Sequence, residues 1–446
     1  MALPADASLL LRFDDTSTLW QDTGGSTAAS ANGATVQRID DMSGNGYNAT
    51  LVSGATAGVL ATAKYGAKSV TCNGTAFTLG QPSGLVTALN GNACTVFAFF
   101  RPSLYSTQCF VFGKGAGGGA RYAHGFLPGV TPGYQQWTIL STATSLAGWG
   151  YETTQPHTYA HAFYASEQVP NQRLFIAGAA VANTNTATPK TADTTNDVQL
   201  GGAATGSSYR MTGDLLAVYV YSRSLSPLEI LTLSDYCYSH WSVANPRLSA
   251  PYQLVFSGNS LCTIAGYIPL PERLRRQLGL PLGSVHNLAI GGQTNGQMTT
   301  DDPTRVDPLL SSLSNPLLCG WEASNDANAT NYQTWVTARR TAGWPKAMVA
   351  TVLSRSSIST GARATLNTAI RGYTSAAGVY VTDPAANPYI GYDSAYLDTA
   401  LFPDNLHFAE SASEPFVAPT WASSIRSLMV PSGTPTSKSG QRRRVR

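Results

Sequence analysis

The strongest constraint on this chain is a change of rhythm near residue 245. Before it, short apolar or alternating runs recur between clusters of Gly, Asn, Thr and Ser. Examples are Leu9-Leu10-Leu11-Arg12-Phe13, Thr95-Val96-Phe97-Ala98-Phe99-Phe100, Leu174-Phe175-Ile176-Ala177 and Leu215-Leu216-Ala217-Val218-Tyr219-Val220-Tyr221. Runs of this length, punctuated by turn residues, specify antiparallel strands, and enough of them specify a sandwich or jelly roll of two sheets. The first clear helix signal is Ser226-Pro227-Leu228-Glu229: a capping serine, proline at the first helical position, and a glutamate that completes a capping box. That helix is expected to reach about Trp241, followed by a linker at Ala244-Asn245-Pro246.

Beyond the linker, strand-like and helix-like runs alternate. Strands are expected at residues 252–256, 285–290, 316–321, 348–353 and 379–382, and helices near 271–278, 332–340, 362–373 and 416–428. Alternation of this kind implies a parallel sheet covered on both faces, an α/β three-layer domain. The expected chain is multidomain: an all-β jelly-roll sandwich over 1–245, an α/β domain over 250–430, and a disordered basic tail over 431–446.

Composition narrows the function classes. Only 12% of residues are charged, about half the usual level, while 43% are hydrophobic. The formal charge of +3 comes from the tail, which holds Lys438, Arg442, Arg443, Arg444 and Arg446; without these five the chain is slightly acidic. The folded part is thus not a basic nucleic-acid binder. No apolar run approaches the roughly 18 residues of a membrane span. Met1-Ala2-Leu3-Pro4-Ala5-Asp6 lacks the basic and apolar segments of a signal peptide. Six scattered cysteines form no C-x-x-C pair, so reduced buried thiols are expected, with no metal and no cofactor.

Four short blocks in the second half carry the chemistry. They are Phe256-Ser257-Gly258-Asn259-Ser260, Asn287-Leu288-Ala289-Ile290-Gly291-Gly292, Ala323-Ser324-Asn325-Asp326 and Asp404-Asn405-Leu406-His407. The first three follow expected strands and the last precedes the final helix, so all can meet at the carboxyl edge of the sheet, where ligands bind in such folds. Ser260 offers a hydroxyl nucleophile. Gly292 lets a substrate oxygen approach its backbone N–H, and Asn325 offers a side-chain N–H. His407 can accept the serine proton, and Asp404, one short turn earlier, can orient its ring. Taken singly, each has an ordinary explanation: a helix-capping serine, a turn glycine, an Asx turn. His286, in an expected buried strand without an acidic neighbour, reads as a core histidine.

This pattern resembles the SGNH (GDSL-type) hydrolases over about residues 250–430. The resemblance implies a flavodoxin-like sheet, Ser260, His407 and Asp404 as the catalytic triad, and an oxyanion hole made by Ser260, Gly292 and Asn325. The family's first block usually reads G-D-S, whereas here Asn259 precedes the serine. Ala289 and Ala323 stand where glycine is frequent, which bears on local backbone geometry. Asn259 and Arg355, the latter in Thr351-Val352-Leu353-Ser354-Arg355, are the candidate substrate contacts, with a surface salt bridge as the alternative for Arg355.

Leu19-Trp20-Gln21-Asp22-Thr23, Asp40-Asp41-Met42-Ser43-Gly44-Asn45-Gly46 and the run Gly213–Ser226 resemble laminin-G/concanavalin-like jelly rolls, of a kind found in phage tail and virion proteins. Sugar binding is one reading of that resemblance, with Trp137, Trp149, Tyr151, Tyr159 and Tyr164 as a platform; the other makes these aromatics half-buried strand residues. Asp14, Asp15, Asp40 and Asp41 could hold calcium or simply shape turns. Together these readings imply a serine esterase that removes acetyl or other acyl groups from bacterial surface polysaccharide. It would be carried on a phage virion, beside other virion proteins and as a homo-oligomer. The alternative is a virion structural or adhesion protein whose hydrolase-like domain is inactive.

Overall fold

The computed structural model describes residues 3–62, 64–90, 93–102, 109–114, 122–128, 134–139, 144–149, 155–167, 171–185, 195–202, 210–263, 268–375, 377–409 and 413–429. The basic tail and Tyr151 therefore lie outside the described residues. From Leu9 to Tyr221 the described strands form two antiparallel sheets. One is organised about the long strand Met211–Tyr221, which pairs with Thr95–Pro102, Ser69–Thr75 and Leu9–Arg12. Phe97, Phe99, Leu174, Leu216 and Val218 are fully buried there. The helix Pro227–His240 closes this part, with the Ser226–Glu229 capping box formed in both directions.

The linker is a folded joint rather than a free segment. Asn245 caps a short turn at Pro246–Ser249. Buried Arg247 clamps Asp235 on the preceding helix and donates to the Ser312 carbonyl at 3.2 Å. A guanidinium with carboxylate and carbonyl partners on two elements fixes the chain's direction at the crossing.

The third sheet is parallel and has five strands among the described residues, Gln253–Gly258, Val285–Asn287, Pro316–Trp321, Ala347–Ala350 and Val379–Thr382, in the order second, first, third, fourth, fifth. Alternate side chains of one strand enter different cores. Leu254 and Phe256 join Leu274, Trp421 and Ile425 on one face, whereas Val255, Leu318 and Val349 join Met298, Trp335 and Ile370 on the other. This explains the continuous apolar runs: a strand buried on both faces has no polar side.

Several expected boundaries shift. The second strand ends at Asn287 rather than 290, and the fourth at Ala350 rather than 353. The apolar residues beyond those ends, Leu288 to Ile290 and Val352 to Leu353, are buried in loops, so apolarity alone overextended the strands. Two helices lie outside the expected set: Ser83–Asn90 in the first half, ahead of the first helix signal at Ser226, and Asn295–Arg305 in the second. The polar sequence of Asn295–Arg305 hides it, although Thr294 and Gln297 form a capping box there. The last helix is Ala418–Met429, preceded by a π turn at Ser413–Val417.

Candidate active site

The first strand ends at Gly258. A Cβ at this position would lie 2.5 Å from the Trp321 carbonyl oxygen, so only glycine lets the first and third strands run this close. Asn259 follows in extended backbone, and its Oδ1 accepts from Leu261 N–H at 3.0 Å, starting the turn Ser260–Cys262. Ser260 is thereby held at the strand end, half-buried.

Asn259 itself is fully buried. Its Nδ2 donates to Ser324 Oγ at 2.7 Å and to Glu322 Oε1 at 3.3 Å. This corrects its expected role as a substrate contact: with its amide committed to three partners and no exposed surface, Asn259 ties the serine turn to the third block from behind.

Ile290 N–H donates to Gly258 O at 2.9 Å, which lays the second block beside the first. Gln293 N–H then closes a turn on Ile290 O at 3.1 Å, with Gly292 at φ 77. Glycine suits the third position of such a turn because a side chain is strained there. A Cβ at Gly292 would meet nothing within 4 Å, so the space above it is open. Asn325, after the third strand, donates from Nδ2 to Gln293 O at 2.9 Å, and its Oδ1 accepts from Arg355 Nη1 at 3.4 Å. Those two bonds fix which end of the amide is which and leave one amide hydrogen uncommitted. The N–H groups of Ser260 and Gly292 have no acceptor among the described residues.

The fourth block folds into a tight Asx turn. Asp404 Oδ1 accepts from Leu406 N–H at 3.0 Å and His407 N–H at 2.7 Å, while Asn405 takes φ 58. Asp404 Oδ2 lies 2.6 Å from His407 Nδ1, and His407 Nε2 lies 2.7 Å from Ser260 Oγ. With Nδ1–H turned to the carboxylate, Nε2 is the basic nitrogen and accepts the serine hydroxyl. Burial pushes the Asp404 carboxyl upward, but the hydrogen bonds from His407 and Leu406 outweigh it and hold it below its ordinary range. Phe408, next in sequence, is buried against Trp321 with ring centroids 5.6 Å apart and anchors the turn.

Residues that sequence reasoning missed lie directly behind these groups. Glu322 is fully buried and accepts from Asn325 N–H at 2.7 Å, from Ala323 N–H and from Asn259. Burial pushes its carboxyl up to about 7. Asp302, also buried, receives Ser257 Oγ at 2.8 Å, Trp335 Nε1 at 2.7 Å and Arg305. Arg305 in turn donates to Gln293 Oε1 at 2.9 Å and lies 3.6 Å from Glu167, which belongs to the first half of the chain. Asn183 of the first half donates to the Ala289 carbonyl. The second-block loop is thus braced from both halves of the molecule.

Other expectations fall outside the site. His286 is fully buried with neither ring nitrogen bonded, and burial lowers it to about 3, as suits a core histidine. Asp14 pairs with Arg12 and His240, Asp15 caps a turn, Asp40 pairs with Arg38, and Asp41 accepts from Ser43 and Tyr47 N–H. These carboxylates shape turns, and no group of three or more metal-ligating side chains occurs among the described residues. Tyr159 and Tyr164 are buried in the sandwich and cannot face a glycan. Cys237, Cys262 and Cys319 are buried free thiols, and Cys72 and Cys94 are buried as well. No helix of the described residues is long and apolar enough to cross a membrane.

Residues 73–231 match the family model of the concanavalin A-like lectin/glucanases superfamily, so a concanavalin-like jelly roll is present there. No curated protein matches the chain in sequence. Among solved structures, it is similar to the CBM40 of the Ruminococcus gnavus IT-sialidase bound to α2,3 sialyllactose. That match has 17% identity and a TM-score of 0.32, and covers 37% of this chain and 96% of the other. It is also similar to domain 4 of a GH43 extracellular arabinanase from Geobacillus stearothermophilus in complex with arabinotriose (15%, TM-score 0.31, covering 46% and 100%). A lipase/acylhydrolase from Enterococcus faecalis is similar at 16% identity and TM-score 0.33, covering 40% of this chain and 96% of that one.

Proposed function

We propose that the chain is a serine esterase of the SGNH type, with a flavodoxin-like catalytic domain, that removes acetyl or other acyl groups from polysaccharide. The observation that carries this reading is the relay in which Ser260 Oγ lies 2.7 Å from His407 Nε2 and His407 Nδ1 lies 2.6 Å from Asp404. Ser260 Oγ attacks the ester carbonyl carbon while His407 takes its proton. The N–H groups of Ser260 and Gly292 and the uncommitted amide hydrogen of Asn325 stabilise the oxyanion. As the tetrahedral intermediate collapses, His407 returns the proton to the departing sugar oxygen. A water then repeats the attack on the acyl-serine, releasing the carboxylic acid and restoring Ser260.

The jelly roll at 73–231 supports a glycan as the alcohol part of the ester, because lectins share this fold. A half-buried serine within hydrogen-bonding distance of its histidine favours an active hydrolase over the structural alternative. A phage virion as the setting, a bacterial surface polysaccharide as the target and self-association complete the proposal. They rest on the resemblance of residues 19–23, 40–46 and 213–226 to laminin-G/concanavalin-like jelly rolls of the kind found in virion proteins. The test is acetate release from O-acetylated bacterial polysaccharides and hydrolysis of p-nitrophenyl acetate, wild type beside Ser260→Ala. The variant is expected to lose at least about a thousandfold in kcat. Equal rates in the two proteins would overturn the esterase reading.

A further inference from the structure

Arg355 follows the fourth strand and is 7% exposed. This departs from the surface salt bridge considered for it: no carboxylate lies within ion-pair distance among the described residues. Among the described residues the guanidinium makes one hydrogen bond, the 3.4 Å contact from Nη1 to Asn325 Oδ1, and its buried Nε has no partner there. A guanidinium carries five N–H donors, and leaving one desolvated without an anion is costly.

The two acids nearby cannot supply that anion. Glu322 and Asp404 both act on Arg355 through their charge, yet neither touches it. The Glu322 oxygens are taken by the N–H groups of Ala323 and Asn325 and by Asn259. The Asp404 oxygens are taken by Leu406 N–H and by both His407 donors. Ser356 N–H donates to Asn405 O at 3.1 Å, which pins the Arg355 segment against the turn carrying His407. The guanidinium thus holds the oxygen end of the Asn325 amide, opposite the Nδ2 end assigned to the oxyanion, while its backbone neighbour Ser356 meets the turn that carries His407. Summing hydrogen-bond lengths across that amide puts it no more than roughly 8 Å from the oxyanion. A carboxylate on the acylated sugar ring, or on its neighbour, can span this distance.

We propose that Arg355 is a specificity-determining residue that binds a sugar carboxylate, so that the preferred substrate is an O-acylated acidic glycan. The inference rests on the esterase reading above. A planar guanidinium fits a carboxylate through two parallel N–H bonds and so reads both charge and shape. If Arg355 served only to orient the Asn325 amide, its loss would lower the rate on neutral and acidic esters alike.

The experiment compares kcat/KM on O-acetylated oligogalacturonides, O-acetylated xylo-oligosaccharides and p-nitrophenyl acetate for wild type, Arg355→Met and Arg355→Lys, with Ser260→Ala as control. Wild type is expected to favour the acidic over the neutral oligosaccharide by about tenfold or more, the scale of a hydrogen-bonded charge pair. Arg355→Met should bring that ratio close to one, and Arg355→Lys should restore part of it. A second measurement needs only wild type: glucuronate and N-acetylneuraminate, tested separately, should compete with p-nitrophenyl acetate. Competition by either supports the carboxylate subsite and separates a uronic from a nonulosonic acid. No acidic preference and no competition by either, with Ser260→Ala inactive, overturns the subsite and leaves the esterase standing. Full activity in Ser260→Ala overturns both.

Discussion

Glu322 offers the sharpest test of the buried scaffold behind the serine. Its carboxyl is fully buried, and desolvation raises it from the ordinary 4.5 to about 7 even though three N–H groups favour the ionised form. At about 1.4 kcal/mol per pKa unit, that displacement corresponds to roughly 3 kcal/mol. The folded state binds this proton more tightly than the unfolded chain does. Its contribution to stability is therefore complete below the unfolded value of 4.5 and is lost as pH rises through about 7. Glu322→Gln has no proton to lose. It turns an NH2 toward one of the N–H groups that Glu322 now accepts, a pH-independent cost of about 1–3 kcal/mol. Wild type should thus be the more stable protein near pH 4, and its advantage should shrink by roughly 3 kcal/mol toward pH 8. Urea unfolding of both proteins across this range, followed by tryptophan fluorescence, measures the gap, and other titrating groups cancel in the comparison. A gap that stays constant, or widens as pH rises, would refute the reasoning and show that the N–H donors keep Glu322 ionised throughout.

Two further outcomes follow from the geometry of the third block. Asn325→Ala removes the donor that the proposed mechanism assigns to the oxyanion, and its kcat on p-nitrophenyl acetate should fall by about 100- to 1,000-fold with a much smaller change in KM. A KM effect alone would assign Asn325 to substrate binding. Ala323 sits at φ 63, where a Cβ is strained, so Ala323→Gly should stabilise the protein by up to about 1 kcal/mol in urea unfolding. A destabilised variant would mean that the chain entropy gained by the unfolded state exceeds the strain relieved.

Much of the architecture was legible because it rests on local pattern. Leu254, Val255 and Phe256 read as a doubly buried strand from apolarity alone, and each does enter a core on one face or the other. Ser226 and Glu229 announced a helix start because capping is a contact within one turn. Asp404 and His407 were readable as a pair for the same reason: three residues separate them, and an Asx turn brings the carboxylate to Nδ1. The polar helix Asn295–Arg305 was missed because its stability comes from packing and from buried bonds of Asp302 and Arg305, which periodicity does not register.

What the sequence by itself determined is the set of reactive groups and the strand ends that carry them, since nucleophile type, turn glycine and strand apolarity are properties of short segments. Tertiary structure alone decided the rest. It placed Ser260 at 2.7 Å from a histidine 147 positions away. It turned Asn259 inward as a brace and left Arg355 buried beside Asn325 without a carboxylate. It also tied the Gly292 loop to Glu167 and Asn183 of the sandwich. Each of these depends on which segments the parallel sheet and the folded joint bring together, and on how burial changes the energy of a charge once they meet. Neither quantity exists until the chain has closed on itself.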